Sequence, residues 1–330
     1  MTLLCRCGST DKPVAFEGCV KAEDYAVRCW DCTEDVQPVV ETLLETLIES
    51  LSTAQDNSDV AKFNAHDCSD FALNSPAFAQ LLLESKVAHE KTAGVFDPTV
   101  LPLWEAWQHS RTSTDGAASD LYAKHDCIVG YDHVVVGPHR AKKLREGVRL
   151  SLDALRHGYA ADKVLEQLKS SHVRAARVTV KNSVVTCSIP PVKRLHKIDL
   201  TPLLHLSEHT ATPPTYCVEM DSQALAVQTQ HCKSPSYYVD PFTRRVSLGK
   251  LSAVVAFSNR CTLANAYATA AMIKGISFAN TLVQTQGDVA FLFFYVDAEG
   301  NIQHQASQNL SLRPTKDGWI VRWIDAAAQT

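Results

Sequence analysis

The sequence predicts an α+β fold whose mixed, largely antiparallel sheets pack against helices. Three observations predict it. Segments with a helical apolar stripe are interspersed with short β-rich runs at no regular βαβ spacing. Neighbouring β-rich runs are joined by turn signals, "KNS" at 181–183 and "AEGN" at 298–301. No repeat, linker or low-complexity block divides the 330 residues.

Taken in order, "YAVRCWDC" at 25–32 alternates as a strand does. "QPVVETLLETLIESLS" follows with apolar residues at 39, 40, 43, 44, 47, 48 and 51, one face of a helix, and Pro38 suits its first turn. After the polar loop "TAQDNSD", a second helix starts at Ser75 and Pro76 and stops at Gly94. "QHSRTSTDGAASD" at 108–120 reads as a surface loop, and "IVGYDHVVVGPH" and "VRLSLDA" as short strands. A helix starts at about Gly158, and "HVRAARVTVKNSVVTCS" gives two strands around its turn. The last third brings strands near 246–257, the helix "CTLANAYATAAMIKG" at 261–275, a hairpin "DVAFLFFYVDAEGNIQHQAS" and a final strand "GWIVRWID".

Composition bounds the function. With 45% apolar and 21% charged residues and a formal charge of −4, the chain has ample core material and no basic excess to attract nucleic acid. Its longest apolar runs, such as "VAFLFFYV" at 289–296, fall far short of a membrane span. The amino end lacks the apolar stretch of a secretory signal, so the chain as given reads as cytoplasmic. Eleven scattered cysteines without such a signal favour reduced thiols over a disulfide framework. Cys5, Cys7, Cys29 and Cys32 together have zinc-like spacing, but Cys29 and Cys32 lie on the alternating strand, where small buried hydrophobes are the preferred reading.

Several chemistries are missing. No G-x-G-x-x-G follows a strand, and there is no P-loop, H-E-x-x-H or G-x-S-x-G. The helix at 261–275 stands out instead. Thr262 is placed to cap it and Gly275 to end it, while Asn265 and Thr269, four residues apart, point the same way. Two readings are open: Asn265 serves the free backbone N–H groups of the first turn, or the pair forms a weak cation site.

Four segments in fixed order, "GVFDPTVLPLWEAW" at 94–107, "HGYAADKVLEQL" at 157–168, "YYVDPFTRRV" at 237–246 and "LANAYATAAMIKG" at 263–275, resemble the ApbE-type family of FAD:protein FMN transferases. The resemblance runs from about residue 25 to the carboxyl end and takes in "VAKFNAH" at 60–66. It implies a single two-lobed domain over 1–330, with 1–24 as a divergent amino-terminal extension. The implied activity is transfer of FMN from FAD to a threonine or serine of a partner flavoprotein, with AMP released and magnesium neutralising the pyrophosphate. The implied partner is a flavoprotein acceptor or electron-transfer protein.

Carried onto this chain, the resemblance puts Asn265 and Thr269 at the magnesium, where the family has Asp and Thr, so a weakened ion site is expected. Catalytic roles fall to His157 and Asp240, and cofactor contacts to Asp97, Thr99, Tyr159, Tyr237, Tyr238 and Thr243, the tyrosines as stacking surfaces for isoalloxazine or adenine. Departures cluster at ligand contacts. "SLDALRHGY" replaces a family segment with an acidic residue, a glycine pair and a lysine, so Asp153 and Ala154 carry side chains where backbone would approach ligand. The retained Asp97 and Asp240 each precede proline, in Asp-Pro-Thr at 97–99 and Asp-Pro-x-Thr at 240–243, and such a turn has its own structural account: the carboxylate accepts the N–H two residues on. A degenerate relative that binds flavin or a partner without transfer is the alternative function.

Overall fold

The computed structural model describes residues 13–30, 32, 35–112, 128–205, 214–230, 238–247 and 249–324, the side chains of 110–112 excepted. The chain opens with a hairpin, β1 (Val14–Val20) and β2 (Glu23–Trp30), then α1 (Gln37–Ser50), α2 (Asp59–Ala65), β3 (Asp70–Ala72), α3 (Pro76–Lys91) and α4 (Leu101–Thr112). Next come β4 (Val134–Val136), β5 (Arg140–Lys143), α5 (Asp153–Ser170), β6 (Ala175–Val180), β7 (Ser183–Ser188), β8 (His196–Asp199), α6 (Thr201–Leu204), β9 (Thr215–Met220) and β10 (Ala224–Thr229). The carboxyl-terminal part holds β11 (Tyr238–Asp240), β12 (Arg245–Ser247), β13 (Leu251–Ser258), α7 (Cys261–Gln286), β14 (Val289–Val296), β15 (Ile302–Ala306), β16 (Leu310–Pro314) and β17 (Gly318–Trp323).

Eight strands form one sheet in the order β1-β2-β6-β7-β10-β13-β14-β15, every neighbouring pair antiparallel. A second sheet, β16-β17-β9-β8, contains the parallel pair β17–β9, which makes the whole mixed. The continuous apolar run of β14 follows from burial on both faces. Val289, Phe291 and Phe293 pack toward α7, while Ala290, Leu292 and Phe294 pack toward the second sheet. Each such phenylalanine contributes about 1.5–3 kcal/mol by leaving water.

Local chemistry explains the helices. In α1, Pro38 sits in the first turn, and Val40, Leu44, Leu47 and Ile48 recur at helical spacing and are buried. Ser58 and Ser75 cap α2 and α3 by accepting the N–H groups of Ala61 at 2.9 Å and Phe78 at 3.3 Å.

Four expectations are corrected. The segment 108–112 continues α4 rather than looping out, and residues 113–127 lie outside the described part. "VRLSLDA" is not a strand. Its Leu150 is clamped at both backbone groups by the Asn64 carboxamide, and the helix expected near Gly158 begins already at Asp153. There the Asp153 carboxylate accepts the Thr53 N–H at 3.3 Å and the Ser151 hydroxyl at 3.1 Å, so polar contacts to a distant loop fix the helix start. Gly275 does not end α7. It adopts φ 80°, and a second helical stretch continues to Gln286.

Candidate functional site

The first turn of α7 is held from another helix. Its N-cap residue Arg260 provides no side-chain cap, and the Asp162 carboxylate of α5 accepts instead from the N–H groups of Cys261 and Thr262 at 2.9 Å and the Thr262 hydroxyl at 2.7 Å. Thr262 is therefore a donor to the capping group and not the cap. Burial pushes the Asp162 carboxyl up, with these three donors pulling the other way. The two helices touch at Gly158, where a Cβ would fall 2.5 Å from the Cys261 carbonyl oxygen and closer still to the Asn265 amide nitrogen.

That contact fixes the Asn265 carboxamide, which is 1% exposed. Its Nδ2 donates to Ser183 Oγ at 2.9 Å and to the Cys261 carbonyl at 3.0 Å, which leaves Oδ1 facing Gln228 Nε2 at 3.4 Å. Gln228 is oriented in turn by Tyr238, whose hydroxyl lies 3.2 Å from Gln228 Oε1 and 3.3 Å from the Thr229 carbonyl. Burial raises the Tyr238 phenol and keeps it a donor. One turn along α7, Thr269 is 8% exposed and its Oγ1 is buried without a partner.

Asp240 shares strand β11 and its face with Tyr238. Its Oδ1 accepts the N–H groups of Phe242 at 2.9 Å and Thr243 at 3.4 Å, and its Oδ2 lies 2.5 Å from Lys274 Nζ of α7. Burial pushes this carboxyl up, but Lys274 and the two amides outweigh it and hold the group below its ordinary value. Thr243 itself is exposed.

Asp97 makes the corresponding turn. It accepts the Thr99 N–H at 2.8 Å, the Thr99 hydroxyl at 2.6 Å and the Tyr131 N–H at 3.2 Å, while Thr99 Oγ1 accepts the Gly130 N–H at 2.7 Å. The two turns are neighbours. Val239 and Val246 pack with Val100, Leu103 and Trp104, and a Cβ on Gly94 would sit 3.3 Å from the Phe242 ring.

His157 looks elsewhere. Its Nε2 lies 3.0 Å from Glu23, which also pairs with Arg156 at 3.1 Å and Lys181 at 2.8 Å. Burial of Glu23 raises its pKa, but His157 and Lys181 prevail and bring it to about 2. Tyr159 is a core residue at 1% exposure, with its hydroxyl 3.3 Å from Gln80 of α3. Tyr237 lies outside the described residues. The structure thus gathers Asn265, Thr269, Tyr238 and Asp240 along α7 and β11, sets Asp97 and Thr99 in the adjoining turn, and ties His157 and Tyr159 to other neighbours.

Sequence reasoning missed Gln228, Ser183, Lys274 and Asp162. Lys274 was the legible one, a lone charge in the apolar helix just before Gly275; Gln228 sits in the strand run "ALAVQT" with nothing to mark its contact. The expected magnesium meets a neutral donor set here: one amide oxygen that already faces an N–H donor, and one hydroxyl. The nearby carboxylates of Asp162 and Asp240 are engaged with the α7 amides and with Lys274. Among the described residues no group of three or more His, Cys, Asp or Glu could hold a metal ion. These residues do not fit magnesium, which seeks hard oxygens with at least one carboxylate. Of the zinc-spaced cysteines, Cys29 is a core thiol pushed up to about 12, by burial first, and Cys5 and Cys7 lie outside the described residues.

The fold and site thus define an α+β protein with two adjoining Asp-Pro turns beside a long helix, and this chain belongs to the ApbE family, whose model matches residues 20–293. The FAD:protein FMN transferase of Vibrio cholerae is 22% identical over 254 residues, 74% of each chain. That of Treponema pallidum is 23% identical over 280 residues, 78% of this chain and 76% of its own. Among solved structures, the apo flavinyl transferase ApbE of Pseudomonas stutzeri matches with a TM-score of 0.75 at 21% identity, over 90% of this chain and 95% of that one. The flavin transferase ApbE from Vibrio cholerae gives 0.72 at 18% identity, over 90% and 97%. At such identities the structural likeness is one of fold. Among the described residues no helix is long and apolar enough to cross a membrane.

Proposed function

We propose that the protein binds a flavin nucleotide, FAD, beside α7 and β11 and serves a flavoprotein partner as carrier or assembly factor, without magnesium-assisted transfer of FMN. One observation carries this reading: every group the chemistry would draw on is closed or neutral. His157 is paired with Glu23, Asp240 with Lys274, and position 265 is an amide bonded into the protein. Phosphoryl transfer requires charge on the phosphate oxygens to be met by a cation and the nucleophile to be oriented by a free base. Of the residues expected to contact the nucleotide, Tyr238 and Thr243 keep that role, while Asp97 and Thr99, bonded within their own turn, support the adjoining backbone.

A second reading, active transfer of FMN to a threonine or serine hydroxyl with AMP released, is favoured by the family and by the unpartnered hydroxyl of Thr269. Incubation with FAD, millimolar magnesium and a candidate acceptor separates the two. Bound FAD that is recovered intact, with no AMP by chromatography, supports the carrier; AMP formed in step with covalently flavinylated acceptor overturns it. Absence of any FAD binding in a fluorescence titration sinks both.

A further inference from the structure

We infer that the Gln228 carboxamide stands where a divalent cation would stand, so that the Asn265–Thr269 position is metal-independent and contacts its ligand directly through the Thr269 hydroxyl. The argument begins with which way Asn265 points. A carbonyl only accepts, so the atom 3.0 Å from the Cys261 oxygen must be the amide nitrogen. Ser183 holds the same nitrogen, and Gly158 leaves no space on the other side. The oxygen is thereby committed to the outward direction, and what it meets there is a polarised N–H of Gln228. The Tyr238 hydroxyl at Gln228 Oε1 fixes that amide in turn, with its nitrogen toward Asn265.

The chain Tyr238, Gln228, Asn265, Ser183 is thus a directional relay of neutral donors and acceptors. It supplies partial positive charge to the Asn265 oxygen without an ion. Thr269 is what the relay leaves over: a buried hydroxyl one turn on, with no protein partner. An unmet polar group at such burial is costly, and a ligand oxygen satisfies it. The relay also shows why aspartate is not a simple replacement. In the same rotamer its second oxygen would face the Cys261 carbonyl at 3.0 Å with no hydrogen between them. The inference rests on the flavin-binding reading only for the identity of the ligand.

The test is a manganese titration of the flavin-free full chain followed by electron paramagnetic resonance, with thermal melts in magnesium alongside. Wild type is expected to leave manganese free and to melt at the same temperature with or without magnesium. N265D is expected to melt lower without metal, and to regain stability while taking up manganese at least about tenfold more tightly than wild type, because a carboxylate restores the attraction an amide lacks. One equivalent of manganese bound by wild type and removed by T269A would overturn the inference. So would a magnesium-dependent rise in the wild-type melting temperature that T269A abolishes, a readout that needs no variant at 265. If N265D folds, as judged by circular dichroism, and takes up no more manganese than wild type, position 265 does not face a cation-sized space and the inference fails. Failure of FAD to bind would sink the functional reading and leave these metal results standing.

Discussion

The two turns, Asp-Pro-Thr at 97–99 and Asp-Pro-Phe-Thr at 240–243, place the same Asp-Pro pair and a nearby threonine in two different electrostatic settings. At 97–99 the carboxylate accepts two backbone N–H groups and the Thr99 hydroxyl, with the His89 ring 3.8 Å away and no lysine or arginine among the described residues paired to it, and its threonine closes a second contact to Gly130. At 240–243 the carboxylate again accepts the N–H two residues on, but takes its second N–H from Thr243 within the turn and gives its other oxygen to an ammonium, and its threonine is exposed. The difference teaches that retention of a motif marks the turn, whereas the neighbour that meets the spare oxygen decides what the turn can do. The first is a structural staple. The second is a charged edge beside the candidate site.

Substitutions can break that contrast, and the largest effect is expected at Asp97. Changing it to alanine strands three buried donors and is predicted to destabilise the chain by about 3 kcal/mol in urea unfolding. A loss under 1 kcal/mol would show that the first turn is no staple. Thr99→Ala keeps the carboxylate but leaves the Gly130 N–H unmet, for an expected loss of about 1–2 kcal/mol. Next comes Lys274→Met, which unpairs Asp240. With Lys274 present the Asp240 carboxyl lies below its ordinary value, so the stability it contributes is complete above the unfolded carboxyl value of about 4 and fades as the pH falls through the lower folded value. The variant should lose that acid-limb slope and about 1 kcal/mol at neutral pH, as read from melts between pH 7 and pH 3. An unchanged acid limb would mean that the pair is not formed in solution. Smallest of all, Thr243→Ala should fall within about 0.5 kcal/mol of wild type; a cost equal to that of Thr99→Ala would erase the contrast.

Legibility followed the range of the interaction. The two Asp-Pro turns were readable because donor and acceptor lie two residues apart, and the α1 stripe because its period is local. The hairpin at "AEGN" forms for the same reason, with Asp297 accepting the N–H groups of Glu299 and Asn301. The start of α5 was not readable, because Thr53 fixes it from 100 residues away. Nor was the continuation of α7 through Gly275. Glycine at positive φ is the usual mark of a helix end, and only the packing of Ala279, Leu282 and Val283 into the core carries the chain on. At the site, the resemblance led to Asn265 and Thr269, but the direction of the amide depends on Gly158, Ser183 and Gln228, none of which its sequence neighbourhood announces.

The capping of α7 by Asp162 also bears on when this helix forms. Its first turn has no local acceptor and borrows one 99 residues upstream, so an isolated 261–286 segment lacks the contact that would start it. Helix growth here waits on docking against α5, which makes α7 a product of long-range assembly and not a seed for it. The amide protons of Cys261 and Thr262 should accordingly exchange with solvent only when the two helices separate, and report on the opening of the whole sheet-and-helix core.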